Sequence, residues 1–252
     1  MKAVILAAGK GTRMGNLTDA LPKPMLKVQG KPILQHILEG LKSSGITDAF
    51  IVTGWHPEII EEHFKKSREL GMRISFGRQP IQDGTGKAPE IARDFVGDDA
   101  FLLTYGDILV KPETYADMIR RFAEDDFSGV VTVTGSADVT QGGLNFFDDA
   151  FCLRRLYEKP TAERIEALRR DGWLKPGDTA WYNAGIYIFR PSLFDYTARL
   201  KKSPRNEYEL TDALNAMAEE GHRLAGLAIE GRWVDVRDPE VLADLERSSG
   251  PA

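Results

Sequence analysis

The first 107 residues alternate between short apolar runs and amphipathic segments, and this alternation restricts the fold more than any other feature of the sequence. Four runs have the length of strands: residues 4–7, 48–54, 72–77 and 100–107. The first is aliphatic and β-branched throughout and is expected to be buried on both faces. Between them, apolar residues recur with helical spacing, as at Ile33, Ile37 and Leu41 after Pro32. Two further helices are predicted in "PEIIEEHFKKSREL" and "KAPEIARDF". Strands separated by helices predict a Rossmann-like α/β fold, with a mostly parallel sheet, helices on both faces, and ligands at the carboxyl ends of the strands.

The composition suits one large domain and excludes several classes of partner. The chain has 252 residues, of which 42% are hydrophobic, enough for a sizeable core. A net charge of −5 argues against nucleic acid or an anionic membrane as a partner, so an anion site must be local. The single cysteine, Cys152, excludes an internal disulfide and is expected to be a buried hydrophobe in a reducing cytoplasm. The apolar run before Lys10 is too short for a signal peptide or a membrane span, so we expect a cytoplasmic protein.

After Lys111 the strand and helix pattern loosens. Short strand candidates, "GVVTVTG", "LNFF", "CLRRLYEKP" and "AGIYIF", surround one predicted helix, "AERIEALRRDG". A helix then returns in "NEYELTDALNAMAEEG", and "RWVDVRDPEVLADLERSS" predicts a last short strand and a final helix. We therefore predict one domain over residues 1–252, with a core at 1–110, an inserted mixed α/β lobe at 111–205, and a return to the core at 206–252.

The first strand runs into a glycine-rich turn, "ILAAGKGTRMGN", which carries two cations and predicts an anion site. The spacing of Gly9, Gly11 and Gly15 is one residue longer than the dinucleotide-binding fingerprint. That fold also places an acidic residue at the end of the second strand, where this chain has Thr53 and Gly54. "GKGT" does not match a Walker loop either. These departures argue against a nicotinamide or flavin enzyme and against a kinase-type phosphate cradle.

"LAAGKGTRM", followed closely by "LPKPML", resembles the signature of the sugar-1-phosphate nucleotidylyltransferases. The resemblance implies that a sugar-1-phosphate attacks the α-phosphorus of a nucleoside triphosphate, giving a nucleotide-sugar and pyrophosphate. It implies that Arg13 holds the departing pyrophosphate and Lys23 the α-phosphate. A triphosphate has about four negative charges, and backbone N–H groups of a glycine loop can approach it closely. By resemblance, the nucleotide contacts are Leu6, Ala8, Gly9, Gly11, Thr12, Arg13, Lys23, Gln79, Gly84 and Thr85.

Further segments follow in the order of that family. "QPIQDGTGKA" resembles the base-recognition segment, in which the amide of Gln79 and the backbone of Gly84 meet a pyrimidine edge. "YGD" and "WVDV" supply Asp107 and Asp235, which by resemblance bind one magnesium ion (Mg2+). In the lobe, the resemblance assigns the sugar phosphate to Gly143, Glu158, Lys159 and Asn183. The implied catalytic groups are Arg13, Lys23, Asp107 and Lys159. In "EYELTDAL", by contrast, we expect the acidic residues to cap a helix.

The resemblance leaves the substrates open. "QPxxDG" resembles glucose-1-phosphate thymidylyltransferases, whereas "LAAGKGTRM" and "GTGKA" resemble uridylyltransferases that act on N-acetylglucosamine-1-phosphate. We favour dTTP or UTP with a glucose-1-phosphate-like partner. No hexapeptide repeats are visible, so we expect no acetyltransferase activity. The resemblance also allows a homo-oligomer. A nucleotide-sugar sensor that has lost turnover is the alternative function.

Overall fold

A computed structural model describes residues 1–66, 70–135 and 137–247. Its strands are β1 (Lys2–Ala7), β2 (Lys27–Val28), β3 (Lys31–Pro32), β4 (Asp48–Thr53), β5 (Arg73–Arg78), β6 (Phe101–Tyr105), β7 (Ile108–Val110), β8 (Gly129–Thr134), β9 (Gly143–Phe147), β10 (Leu153–Glu158), β11 (Trp181–Phe189), β12 (Leu224–Ala228) and β13 (Trp233–Asp235). Its α-helices are α1 (Ile33–Ser43), α2 (Pro57–Lys66), α3 (Arg93–Val96), α4 (Glu113–Ala123), α5 (Ala162–Arg170), α6 (Leu193–Arg199), α7 (Leu210–Glu219) and α8 (Pro239–Arg247). Short 3-10 helices lie at Thr12–Thr18, Lys23–Met25, Ala88–Ala92 and Val139–Gln141.

The central sheet is mostly parallel, as the sequence predicted. The strands β5, β4, β1 and β6 are neighbours in that order, and each pair is parallel. Next to β6 lies β11, which runs antiparallel to it. β11 also pairs with β8, which in turn pairs in parallel with β12. The β9–β10 hairpin joins at the first residues of β11.

Helices cover both faces of this sheet because alternate residues of its strands point in opposite directions. On β1, Ala3 and Ile5 belong to a core cluster that includes Ile37 of α1. Val4 on the same strand belongs to a second cluster, which includes Leu214 of α7. Strands buried on both faces read as continuous apolar runs, which is why β1 shows no alternation in the sequence. The prediction of a Rossmann-like α/β fold is confirmed.

The inserted lobe shares the main sheet. β8 and β11, which the sequence analysis placed in the lobe, extend the central sheet beyond β6. The outer part of the lobe consists of β9 and β10, at the edge of the same sheet, together with α5. It has its own apolar cluster, in which Leu144 and Phe146 of β9 pack with Ile165 and Leu168 of α5.

Several elements differ from the sequence predictions. β2, β3, β7, β12, α4 and α6 were not predicted. The helix predicted in "KAPEIARDF" is a 3-10 turn followed by a single α-helical turn that ends at Gly97, where φ is +63°. The helix predicted from "NEYEL" begins only at Leu210, because Tyr208 pairs as a β-bridge with Gly84. The predicted ends of the helices after Lys66 and Arg247 extend beyond the described residues.

The structure also bears on the single cysteine and on membrane-spanning segments. Cys152 is buried, as expected for a small hydrophobic side chain. Among the helices of the described residues, none has the length and apolarity needed to cross a lipid bilayer.

Candidate active site

Every residue that the sequence analysis assigned to the site lines one cavity of about 620 Å³. The cavity opens at the carboxyl ends of β1 and β6, where a parallel α/β sheet usually binds its ligands. The glycine-rich loop after β1 forms one wall, and the loop after β5 contributes Gln79 and Gly84. The lobe closes the opposite side with Glu158 and Asn183. The fold thus brings together residues that are far apart in the sequence, while their individual roles stay predictions.

The glycine loop wraps around the stem of Lys23. Gly11 has φ of +66°, in the left-handed region that favours glycine. A Cβ at this position would lie 3.0 Å from the Lys23 Cβ, so a side chain would push the lysine away. Thr18 Oγ1 donates to the Gly11 carbonyl at 3.1 Å, and Met14 N donates to the same oxygen at 2.9 Å. These bonds hold the loop against the lysine.

Lys23 points at two carboxylates. Its Nζ lies 2.6 Å from Asp107 Oδ2 and 3.9 Å from Asp235 Oδ1. The carboxylates come together because β7 and β13 are antiparallel neighbours and Val236 N donates to the Asp107 carbonyl at 3.0 Å. Burial, with the charge of Asp107, raises the pKa of Asp235, although Lys23 and Arg13 oppose this shift. Two acidic groups held this close repel each other unless a cation lies between them.

The donor set fits magnesium. Carboxylate oxygens are the hard ligands that Mg2+ prefers, and this ion is commonly held by one or two carboxylates together with substrate phosphates. Asp107 and Asp235 provide those two carboxylates within reach of one ammonium. No cluster of three or more His, Cys, Asp or Glu side chains suited to a metal occurs in the described part of the chain. A resident metal would therefore share its remaining ligands with substrate or water.

Gln79 and Gly84 lie on a loop that is tied down on two sides. Gln79 N donates to Thr53 O at 2.7 Å, and its Nε2 donates to Gly84 O at 3.3 Å. Gly84 has φ of +117°, and a Cβ there would lie 2.3 Å from Tyr208 O. Tyr208 N donates to Asp83 O at 2.8 Å, so the loop forms a short ladder with the segment before α7. The amide of Gln79 is therefore presented to the cavity from a fixed backbone.

The lobe offers a cation and an unused acceptor. Lys159 has φ of +43°, a conformation that costs free energy for a residue with a side chain, and its N donates to Gly142 O at 2.7 Å. A Cβ at Gly143 would lie 3.0 Å from the Asn183 Cβ, so the glycine allows two strands to approach. Asn183 Nδ2 donates to Tyr187 OH at 2.8 Å, whereas its buried Oδ1 has no partner. Buried acceptors are normally paired, so a ligand hydroxyl is a fitting partner.

One expectation about this region is wrong. Glu209 stands at the start of α7 but makes no side-chain capping bond. Its Oε1 instead accepts from Arg205 Nη2 at 2.7 Å, and both side chains line the cavity. Arg205 Nε also donates to the same oxygen at 3.2 Å, so the Glu209 carboxylate is occupied by the guanidinium. Arg205 also lies 3.6 Å from Glu158, which links this segment to the predicted sugar site.

The sequence analysis missed other residues that line the cavity. Among them are Lys10, Gln82, Tyr105, Gln141, Tyr182, Arg205, Glu207, Glu209, Thr211 and Arg237. Some lay within reach of the analysis, because Lys10 is in the quoted glycine loop and Arg237 follows Asp235 by two residues. Gln141 and Tyr182 carried a similar signal, since they precede Gly143 by two residues and Asn183 by one. Arg205 lies outside every quoted motif, and its ion pair with Glu158 joins segments far apart in the sequence.

Glu158 supports a prediction about stability and pH. Burial, with the charge of Glu209, raises the pKa of Glu158 above its ordinary value of 4.5. The folded state therefore disfavours the ionised form, and this cost is present above the raised pKa and absent below 4.5. We expect Glu158→Gln to raise the free energy of unfolding at pH 7 but not at pH 4. Denaturant titrations at several pH values measure this difference.

Glu163 provides the matched control for that experiment. It is exposed, and hydrogen bonds from its own backbone N–H and from Thr161 lower its pKa. Glu163→Gln should therefore leave the protein no more stable at pH 7 than the wild type. A Glu158→Gln protein that is less stable than the wild type at pH 7 would contradict the assigned direction.

The known proteins that this chain resembles are nucleotidyl transferases. The family model for nucleotidyl transferases matches residues 2–248. The low-salt glycan biosynthesis nucleotidyltransferase Agl11 of Haloferax volcanii is 32% identical over 98% of this chain, which spans only 65% of that relative. AglF, a UTP–glucose-1-phosphate uridylyltransferase of the same organism, is 30% identical over 98% of this chain and 96% of its own. A structure described as a glucose-1-phosphate thymidylyltransferase of Bacillus anthracis has a TM-score of 0.82 and 25% identity, covering 98% and 94% of the chains.

Proposed function

Because the chain belongs to the nucleotidyl transferase family, we propose that it joins a nucleoside triphosphate to a sugar-1-phosphate, releasing pyrophosphate. One observation carries the proposal. A single cavity brings the glycine loop, the ammonium of Lys23 with its two carboxylates, and the acceptors of the lobe to one place. Each corresponds to one requirement of the reaction: a triphosphate cradle, charge neutralisation at the reacting phosphorus, and hydrogen bonds to a sugar.

The chemistry requires alignment more than a protein nucleophile. A phosphate monoester is largely ionised near neutral pH, so the attacking oxygen needs no strong base. The main obstacle is repulsion between two anionic phosphates, which Lys23 and Lys159, two cations of the same cavity, can offset. Arg13 would bind the leaving pyrophosphate. Magnesium, when held by Asp107 and Asp235, would supply further charge neutralisation and orientation.

For the substrates, we propose dTTP or UTP with a glucose-1-phosphate-like sugar. Gln79 can both donate and accept, which suits the pairing edge shared by uracil and thymine. The two bases differ by one methyl, a difference that typically changes discrimination by only ~1–3 kcal/mol. The names of similar proteins support both choices, since AglF is a uridylyltransferase and the B. anthracis structure is described as a thymidylyltransferase.

The test is a matrix of five nucleoside triphosphates against several sugar-1-phosphates, with pyrophosphate release as the measurement. We expect release only when both substrates and magnesium are present, with dTTP or UTP giving the highest kcat/KM. Chelation of the metal is the internal control. A sensor of the same fold would bind a nucleotide-sugar without releasing pyrophosphate from any pair, and that result would reject the proposed reaction.

Gln79→Ala tests the base contact. Because the base lies away from the reacting phosphorus, we expect the variant to lose selectivity among triphosphates more than it loses rate with the best pair. Loss of one hydrogen bond corresponds to about a 3- to 10-fold fall in kcat/KM for the preferred base. Gln35→Ala is the matched control, because Gln35 is a glutamine of α1 outside the cavity. Unchanged selectivity in Gln79→Ala would exclude the base contact.

A further inference from the structure

The turn after β4 fastens the glycine loop at several points. Trp55 N donates to Ala8 O at 3.0 Å, and Trp55 Nε1 donates to Thr18 O at 2.9 Å. His56 Nε2 donates to Asp19 O at 2.9 Å. We call residues 54–56 the brace. Because it holds both the start and the end of the loop, the brace determines where the residues between them can lie.

The brace fits closely against the loop. A Cβ at Gly54 would lie 2.6 Å from Ala8 O, so only glycine allows this approach. His56 has φ of +46°, a conformation that the surrounding contacts must maintain. The position is also where a dinucleotide-binding fold has an acidic residue for the ribose. At this position the chain has Gly54, which offers no side-chain acceptor for that hydrogen bond.

The glycine loop carries two cations, Lys10 and Arg13. The proposed reaction gives a role to Arg13 but none to Lys10. Its Nζ lies 4.5 Å from the centroid of the Trp55 ring, within the range of a cation–π interaction. Lys10 lines the cavity and is exposed. It forms no ion pair with a carboxylate of the described residues. The ring of Trp55 thus holds the Lys10 ammonium beside the cavity, and no carboxylate of the described residues neutralises its charge.

We propose that Lys10 is a further binding residue for the polyphosphate chain of the nucleotide and that Trp55 is its positioning residue. The inference rests on the proposed function, since it concerns the same cavity. An ammonium has three donors, and contact with a ring face leaves donors for phosphate oxygens. The indole limits the positions open to the long lysine side chain, so less conformational entropy is lost when phosphate binds.

The first experiment compares Lys10→Met with Lys27→Met. Methionine retains much of the lysine length without its charge, and Lys27 is an exposed lysine of β2 outside the cavity. The probe is inorganic tripolyphosphate, with Kd measured by calorimetry. We expect Lys10→Met to raise this Kd roughly 10- to 100-fold, as for loss of a hydrogen bond between charged groups. Lys27→Met should leave the Kd unchanged, and Lys10→Arg should retain most of the affinity.

Steady-state kinetics separate binding from a general disturbance of the site. Lys10→Met should raise the KM for the triphosphate, while kcat and the KM for the sugar-1-phosphate stay close to wild type. Equal effects on both KM values, or a Kd for tripolyphosphate equal to that of Lys27→Met, would overturn the assignment of Lys10.

A double-mutant cycle tests Trp55. Trp55→Leu removes the ring, whereas Trp55→Phe retains a ring face but loses the indole N–H bond to Thr18. We expect Trp55→Leu to weaken tripolyphosphate binding severalfold more than Trp55→Phe. This difference should disappear in the Lys10→Met background, because the ring then has no ammonium to position. The same difference in both backgrounds would show that Trp55 only braces the loop, and would overturn its positioning role.

The outcomes distinguish this inference from the proposed function. If the wild type releases pyrophosphate but Lys10→Met behaves like Lys27→Met, the inference fails and the proposed reaction stands. If no substrate pair releases pyrophosphate while Lys10→Met still loses tripolyphosphate binding, the proposed reaction fails and the anion site stands.

Discussion

Lys23→Ala is expected to lower kcat by on the order of 10²–10³, more than it raises the KM for the triphosphate. On the proposed mechanism, Lys23 would neutralise negative charge at the α-phosphate, and that charge changes most as the new bond forms. Its interaction is therefore stronger in the transition state than in the ground state, which affects kcat. In the structure the ammonium is buried and lies 2.6 Å from Asp107, so it is already held beside a carboxylate proposed to bind magnesium.

Three further variants make this prediction specific. Lys23→Met retains the stem that packs against Gly11, so a fall in kcat equal to that of alanine assigns the effect to the charge. Lys23→Arg should restore little, because a planar guanidinium does not replace a compact ammonium in a confined site. Arg13→Ala should act more on KM, since the pyrophosphate end is highly charged before reaction. A Lys23→Ala enzyme with kcat within about threefold of wild type would mean that Lys23 only holds the nucleotide.

The sequence predicted elements whose signal is local. The apolar runs of the parallel strands and the spacing of α1 depend on neighbouring residues, and both agree with the structure. α4 carried the same kind of signal, since Tyr115, Met118 and Ile119 have helical spacing, and it was overlooked. β12 was harder to predict because "LAGLA" contains no β-branched residue. The pairing of β11 between β6 and β8 joins distant segments, and no local pattern encodes it.

The site divides in the same way. The glycine loop and the carboxylates could be identified because short motifs surround them, and all their members line the cavity. Glu209 could not be placed, since its position depends on the bridge between Tyr208 and Gly84. Lys10 was visible in the motif, but its relation to Trp55 depends on how two successive loops pack. Sequence motifs thus predicted which residues line the cavity better than they predicted which side chains contact each other.

The two carboxylates should agree in their effect on turnover and differ in their effect on stability. Asp107→Asn and Asp235→Asn are each expected to lower kcat by on the order of 10²–10³, since each removes a hard oxygen ligand and a preorganised charge. In metal-free enzyme at pH 7, Asp235→Asn should be more stable than wild type. The reason is that burial and Asp107 raise the pKa of Asp235, so its ionised form destabilises the fold. That cost is absent below the ordinary pKa of 3.8, so the advantage should vanish there.

Asp107→Asn should show no such gain, because it removes the carboxylate that lies 2.6 Å from Lys23 and leaves only Asp235 at 3.9 Å. Magnesium provides the decisive measurement. A ligand that binds only the folded state raises its stability, so added magnesium should raise the Tm of the wild type and of Asp149→Asn, an exposed control. The rise in Tm should be smaller in Asp107→Asn and in Asp235→Asn. If either variant has the wild-type kcat at saturating magnesium, its carboxylate is not a metal ligand. If magnesium raises the Tm of all four proteins equally, neither carboxylate binds the metal.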